Sequence, residues 1–135
     1  VKAVWQGQCD LALGNHYYYL KMLAEPEQRS WAEGVEVIFP NQNDRGVHAN
    51  ISGMSLAAHA PDKAAALELM RFLVSQKAQE IYANANGEYP LRVGAAWSPA
   101  LTTLGQFKID PLSLQAISDQ RGEVVLMTDR VRYDH

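Results

Sequence analysis

The stretch GNHYYYLKM, residues 14–22, sets three phenols, Tyr17, Tyr18 and Tyr19, in a row directly after Asn15 and His16. Aromatic side chains most often fill a core or stack on a partner surface. Three consecutive ones cannot all do so in one core. Successive residues stand about 100° apart on a helix and on opposite faces of a strand, so at least one ring must face solvent or a cleft. The flanking residues read as a strand turning into a helix. At such a corner, side chains project into the crevice where α/β folds take their ligands. They also lie over the first turn of a helix, whose unpaired N–H groups favour negative charge. A phenolate is a hard anionic oxygen with a free pKa near about 10, so it needs a cation to stay ionised at neutral pH. A small, highly charged ion such as ferric iron suits such oxygens, as softer ions suit thiolates.

The elements that must hold these residues follow from period and punctuation. Residues 1–6 fit the end of a helix stopped by Gly7, and residues 9–13 a short apolar strand with Cys9 buried in it. Asn15 is placed as an N-cap, with YYYLKMLAE running as a helix to Pro26 and a further turn continuing through Trp31 to Gly34. VEVIF, residues 35–39, reads as a strand, NQNDRG as a loop, and residues 47–60 as one or two strands broken at Gly53. Pro61 opens a periodic helix with Ala66, Leu67, Met70, Leu73 and Val74 on one face. A helix from Gln76 to Asn84 follows, its buried stripe Ala78, Ile81, Tyr82 and Ala85, stopped by Asn86 and Gly87. After an extended connection come a short helix near Pro99 and a last helical stretch capped by Asp110, with a break at Gly122. Strands alternating with helices give an α/β class, with too few strands to close a sheet unaided.

Composition narrows the chemistry. The 135 residues are 47% hydrophobic and 20% charged, with a net charge of -3. No apolar run is long enough to span a bilayer. The scattered Lys and Arg give no footprint for nucleic acid. A single cysteine permits neither an internal disulfide nor a multi-thiolate metal site. No G-x-S-x-G elbow, H-E-x-x-H, P-loop or supported pair of carboxylates is present, and nothing positions Ser30, His16 and Asp10 as a triad, so no enzyme is expected. The opening VKAVWQGQ shows no start methionine and no export signal, and the chain is expected to be a piece of a longer protein cut inside a domain.

CDLALGNHYYY, followed at similar spacing by VIFPNQNDRGVHANISG and FLVSQKAQEIYANANGEYP, strongly resembles the periplasmic ferric-iron-binding proteins, solute receptors of bacterial iron ABC importers. The likeness runs over essentially the whole chain. It implies the C-terminal portion of a two-lobed type II periplasmic binding protein fold, with the N-terminal part missing. Residues 1–46 would carry the tyrosine corner in the second lobe, 47–97 would return to the first lobe, and 98–135 would form second-lobe helices. Tyr17 and Tyr18 take the place of the family's two adjacent iron ligands. Tyr19 extends the aromatic run and is assigned to packing or to a supporting place beside the ligands. Asn15, His16 and Arg45 are candidates for supporting the site or holding a synergistic anion. The cargo would be ferric iron (Fe3+), the partner a membrane permease powered by an ATPase, and the location the periplasm. His48, Asn50, Ser52 and Tyr89 are read as structural, with Tyr89 near the hinge, and Asp129 with Arg130 as a solvated helix end.

Two other readings use the same tyrosines. A receptor of the same architecture could stack them on an organic solute, a sugar or polyamine. An interaction module could dock another protein through an aromatic corner.

Overall fold

In the computed structural model, residues 1–133 are described. They pack as two compact units: Val1–Ile38 with Ile51–Gln106, and residues 39–50 with residues 107–133. No helix among the described residues is long and apolar enough to cross a membrane.

The first unit is helical. α1 (Lys2–Trp5), α2 (His16–Ala24) and α3 (Arg29–Glu33) pack together, then α4 (Lys63–Leu73), α5 (Gln76–Ala85) and α6 (Pro99–Leu104) follow. Lys2 lies 4.5 Å above the Trp31 ring, and a Cβ at Gly34 would meet Trp5 Cδ1 at 2.4 Å, so a side chain there would have to push the Trp5 ring aside. The core is small: Leu20, Ala83 and Leu101 are buried, with Tyr19, Leu23, Tyr89 and Leu104 packed against them. Polar side chains lash the 87–97 connection to α5. Gln79 accepts from the Leu91 N–H at 3.0 Å, and Glu80 accepts from Gln76 at 2.8 Å and from the Ala96 N–H at 3.3 Å. Those donors hold the Glu80 carboxyl below the usual range.

In the second unit Phe39 stacks on Phe107 with ring centres 4.3 Å apart. Gln42 clamps Lys108, accepting from its N–H at 2.6 Å and donating to its carbonyl at 3.2 Å, and a parallel bridge joins Val47 to Ile109. Gly46, at φ +99, sits where a Cβ would strike the Lys108 carbonyl oxygen at 2.6 Å. α7 (Leu114–Asp119) and α8 (Arg121–Val131) complete the unit.

Several local expectations are corrected. Among the described residues, 9–13, 35–39 and 47–60 form no strand ladder, the isolated Val47–Ile109 bridge apart, and Ala58 and His59 lie in a turn. A strand is completed by a neighbour's N–H and C=O groups in a continuous ladder, and among the described residues these segments form none. Cys9 is accordingly exposed, and Leu13 is 93% exposed. Asp62, rather than Pro61, starts α4, accepting from the Ala65 N–H at 2.9 Å. On that helix Ala66, Met70 and Leu73 are half-buried, whereas Leu67 and Val74 are exposed. On α5 the buried residues are Ala78 and Ala83, with Ile81 and Ala85 exposed. Asp110 instead receives the Leu112 N–H at 3.0 Å, Ser113 caps α7, and the break falls at Gln120, leaving Gly122 inside α8.

Candidate metal centre

Asn15 has the extended backbone of an N-cap, φ -80 and ψ 140, and its carbonyl accepts from the Tyr18 N–H at 3.2 Å. Its side chain makes no capping bond. It donates from Nδ2 to the Tyr17 hydroxyl at 3.0 Å, so the residue that starts the helix also addresses the first phenol.

Tyr17 is half-buried and Tyr18 is 53% exposed, their ring centres 4.6 Å apart and tilted by 52°. The Tyr17 pKa is raised. The chief cause is a hydrogen bond with Tyr18 that favours the protonated phenol, followed by loss of hydration and by the neighbouring Tyr18 charge, with Glu88 adding a small push; Asn15 pulls the other way. The first turn thus presents two neighbouring phenols side by side. Tyr19 turns inward against the Leu20, Ala83 and Leu101 cluster. Among the described residues there is no group of three His, Cys, Asp or Glu side chains able to hold a metal.

His16, the first residue of α2, sends Nε2 to the Gly87 carbonyl at 2.7 Å; a carbonyl can only accept, so that nitrogen carries the proton. Its ring centre lies 5.9 Å from Tyr17 and 5.1 Å from Tyr89. Tyr89 in turn meets Trp97 edge-on at 5.0 Å and donates its hydroxyl to the Gly105 carbonyl at 3.0 Å; burial pushes its pKa up.

Asn15, His16, Tyr17 and Tyr18 therefore stand together in the first unit. Arg45 belongs to the second unit, where its Nε lies 3.3 Å from the Asp110 carboxylate. His48, Asn50 and Ser52 are exposed. Two residues near the tyrosines were not anticipated as part of the site: Gly87, foreseen only as a helix stop, and Glu88. Their sequence distance from α2 gives no local signal, because the chain meets itself here across 71 positions.

No family model matches the chain. Curated relatives do, among them iron uptake protein A1 of Synechocystis, 40% identical over 119 residues, 87% of this chain and 33% of that protein. Iron uptake protein A2 of the same organism is 36% identical over 118 residues, 84% of this chain and 34% of that protein. Among solved structures, apo ferric ion-binding protein A of Pasteurella haemolytica superposes with a TM-score of 0.92 at 40% identity, covering 99% of this chain and 42% of that one. The Trichodesmium protein IdiA (FutA), solved in complex with iron and citrate ligands, gives 0.89 at 36% identity, covering 96% and 42%. The chain spans about a third of the length of the curated relatives it matches.

Proposed function

We infer, for a chain that over the stretch it spans belongs to the ferric-iron-binding protein family, that Tyr17 and Tyr18 are ligands to ferric iron in the receptor of an iron ABC importer. The observation that carries this reading is the pair of phenols in the first turn of α2, with Asn15 donating to the Tyr17 oxygen at 3.0 Å. Ferric iron is the cargo, and two phenolates fill only part of an octahedral shell. The remaining positions fall to groups outside this chain, to water or to a synergistic anion. On binding, each phenol gives up its proton to the solvent. The Asn15 N–H stays directed at the oxygen that becomes negative, and the positive end of the helix favours the same charge. Arg45 remains a candidate for holding an anion, although its Nε is engaged by Asp110 in this chain.

The receptor role extends to a two-lobed clamp, with residues 1–46 and 98–135 assigned to one lobe and 47–97 to the other. These boundaries differ from the packing units within this chain, which group Val1–Ile38 with Ile51–Gln106. Delivery to a membrane permease, a periplasmic location and the absence of catalysis belong to the same proposal. The test is optical. Ferric iron added to the full-length gene product gives a visible phenolate-to-iron charge-transfer band, and sugars or polyamines give no saturable binding. A protein that takes up an organic solute and stays colourless with ferric iron contradicts the proposal.

A further inference from the structure

The first turn of α2 lacks its usual anchor. The opening N–H groups of a helix have no intrahelical partners, and a capping side chain normally holds them. Asn15 occupies that position, but its side chain is directed at Tyr17. Something else must keep the turn from fraying if two phenols are to stay paired.

The geometry points to His16 as a positioning residue for the iron site, holding the first turn of α2 against Gly87 through Nε2–H so that Tyr17 and Tyr18 keep their mutual orientation. This rests on the reading of those tyrosines as ligands. His16 and Leu20 lie four residues apart and so share one face of the helix. Both meet Gly87. Nε2 reaches the Gly87 carbonyl at 2.7 Å, and a Cβ built on Gly87 would come within 2.9 Å of Leu20 Cδ1. Gly87, at φ +68, closes the C-terminal end of α5, where a left-handed residue is the normal stop. The acceptor is therefore fixed by the backbone geometry of a second helix. The imidazole is backed by Tyr89 at 5.1 Å, and Tyr89 is held by Trp97 and by the Gly105 carbonyl. Tyr17, the next residue along, turns away from this contact toward Tyr18, with its ring edge-on to His16 at 5.9 Å. Because Nε2 carries a proton that is already donated, it offers no lone pair to a metal.

The experiment uses the full-length gene product with His16→Ala, His16→Gln and His16→Asn, reading ferric-iron affinity by competition with a colourless chelator and the position of the charge-transfer band at saturation. The amide nitrogen of glutamine reaches about as far as Nε2, whereas that of asparagine mimics Nδ1. The expected result is about a 10- to 100-fold loss of affinity for His16→Ala and His16→Asn, as for other partners that orient metal ligands. The band at saturation keeps its position, and His16→Gln binds within a few-fold of wild type. If His16→Ala destabilises the protein, His16→Gln decides. Wild-type affinity in His16→Ala overturns the inference. So does failure of His16→Gln to restore binding, and a band shift in that variant would identify Nδ1 as an iron ligand instead. A wild-type protein without any band fails the iron reading itself, a different outcome from a wild-type band that His16→Ala leaves unaltered in position and affinity.

Discussion

Tyr17 holds its proton more tightly than an ordinary phenol because Tyr18 hydrogen-bonds to it and its surroundings hydrate a phenolate poorly. In the folded apo-protein the raised pKa contributes stability below the ordinary phenol value of about 10, and that contribution is lost as pH rises through the raised value. Iron binding runs the opposite way, since both phenols must give up a proton to the solvent. With two protons released, affinity should fall about 100-fold for each unit the pH drops below neutral. Chelator competition at several pH values measures the slope after correction for the chelator's own protonation, and a slope near zero would mean that the phenols are not ionised by the cargo. The tyrosine pair was legible in the sequence because adjacency alone forces a phenol out of the core. Asn15 was half legible: its cap position follows from residue type, but the direction of its side chain does not. The partner of His16 was out of reach, since a bond to a backbone carbonyl 71 residues away leaves no trace in local composition.

The helix starts at Gln76 and near Pro99 were read closely, whereas the cap expected of Asp110 falls to Ser113. Ser75, followed by a run without glycine or proline, starts α5, and Ser98 with Pro99 starts α6. Each signal is local, as is the Asn86 and Gly87 stop. Strands were read from β-branched content, which registers a preference for extended backbone but cannot supply the neighbour that completes a ladder. Residues 35–39 show the consequence, forming no strand ladder among the described residues. The helix joints that hold the tyrosine corner can be tested directly. Leu101 is 0% exposed at the centre of the cluster that receives Tyr19, so Leu101→Ala should cost roughly 2–5 kcal/mol in chemical denaturation of the full-length protein. Gly87→Ala should cost about 1–2 kcal/mol for its left-handed backbone, and more if Leu20 cannot move aside. A Leu101→Ala loss below about 1 kcal/mol would show that this cluster does not support α2 as described.

Taken as a chain, the 133 described residues fold into two units with little interior, and Val93, 99% exposed, and Leu13 present apolar side chains to water. Solved neighbours match nearly all of this chain yet are covered to only 42%, so the α/β architecture anticipated from alternating segments belongs to a longer fold than the one described. That scarcity of strands was itself visible in the sequence; the packing of α2 against residues 83–105 was not, because such contacts depend on side chains far apart along the chain. What the longer protein should keep is the pairing of two phenolic oxygens at the head of α2. The deciding measurement is the dissociation constant for ferric iron of the full-length protein carrying Tyr17→Phe and Tyr18→Phe together, with circular dichroism to verify the fold. Both rings remain and only the oxygens are removed. Affinity should drop by more than the about 10- to 100-fold that losing a supporting partner costs, and the charge-transfer band should weaken in parallel. A doubly substituted, correctly folded protein that binds ferric iron as tightly as the original would show that these tyrosines do not hold it.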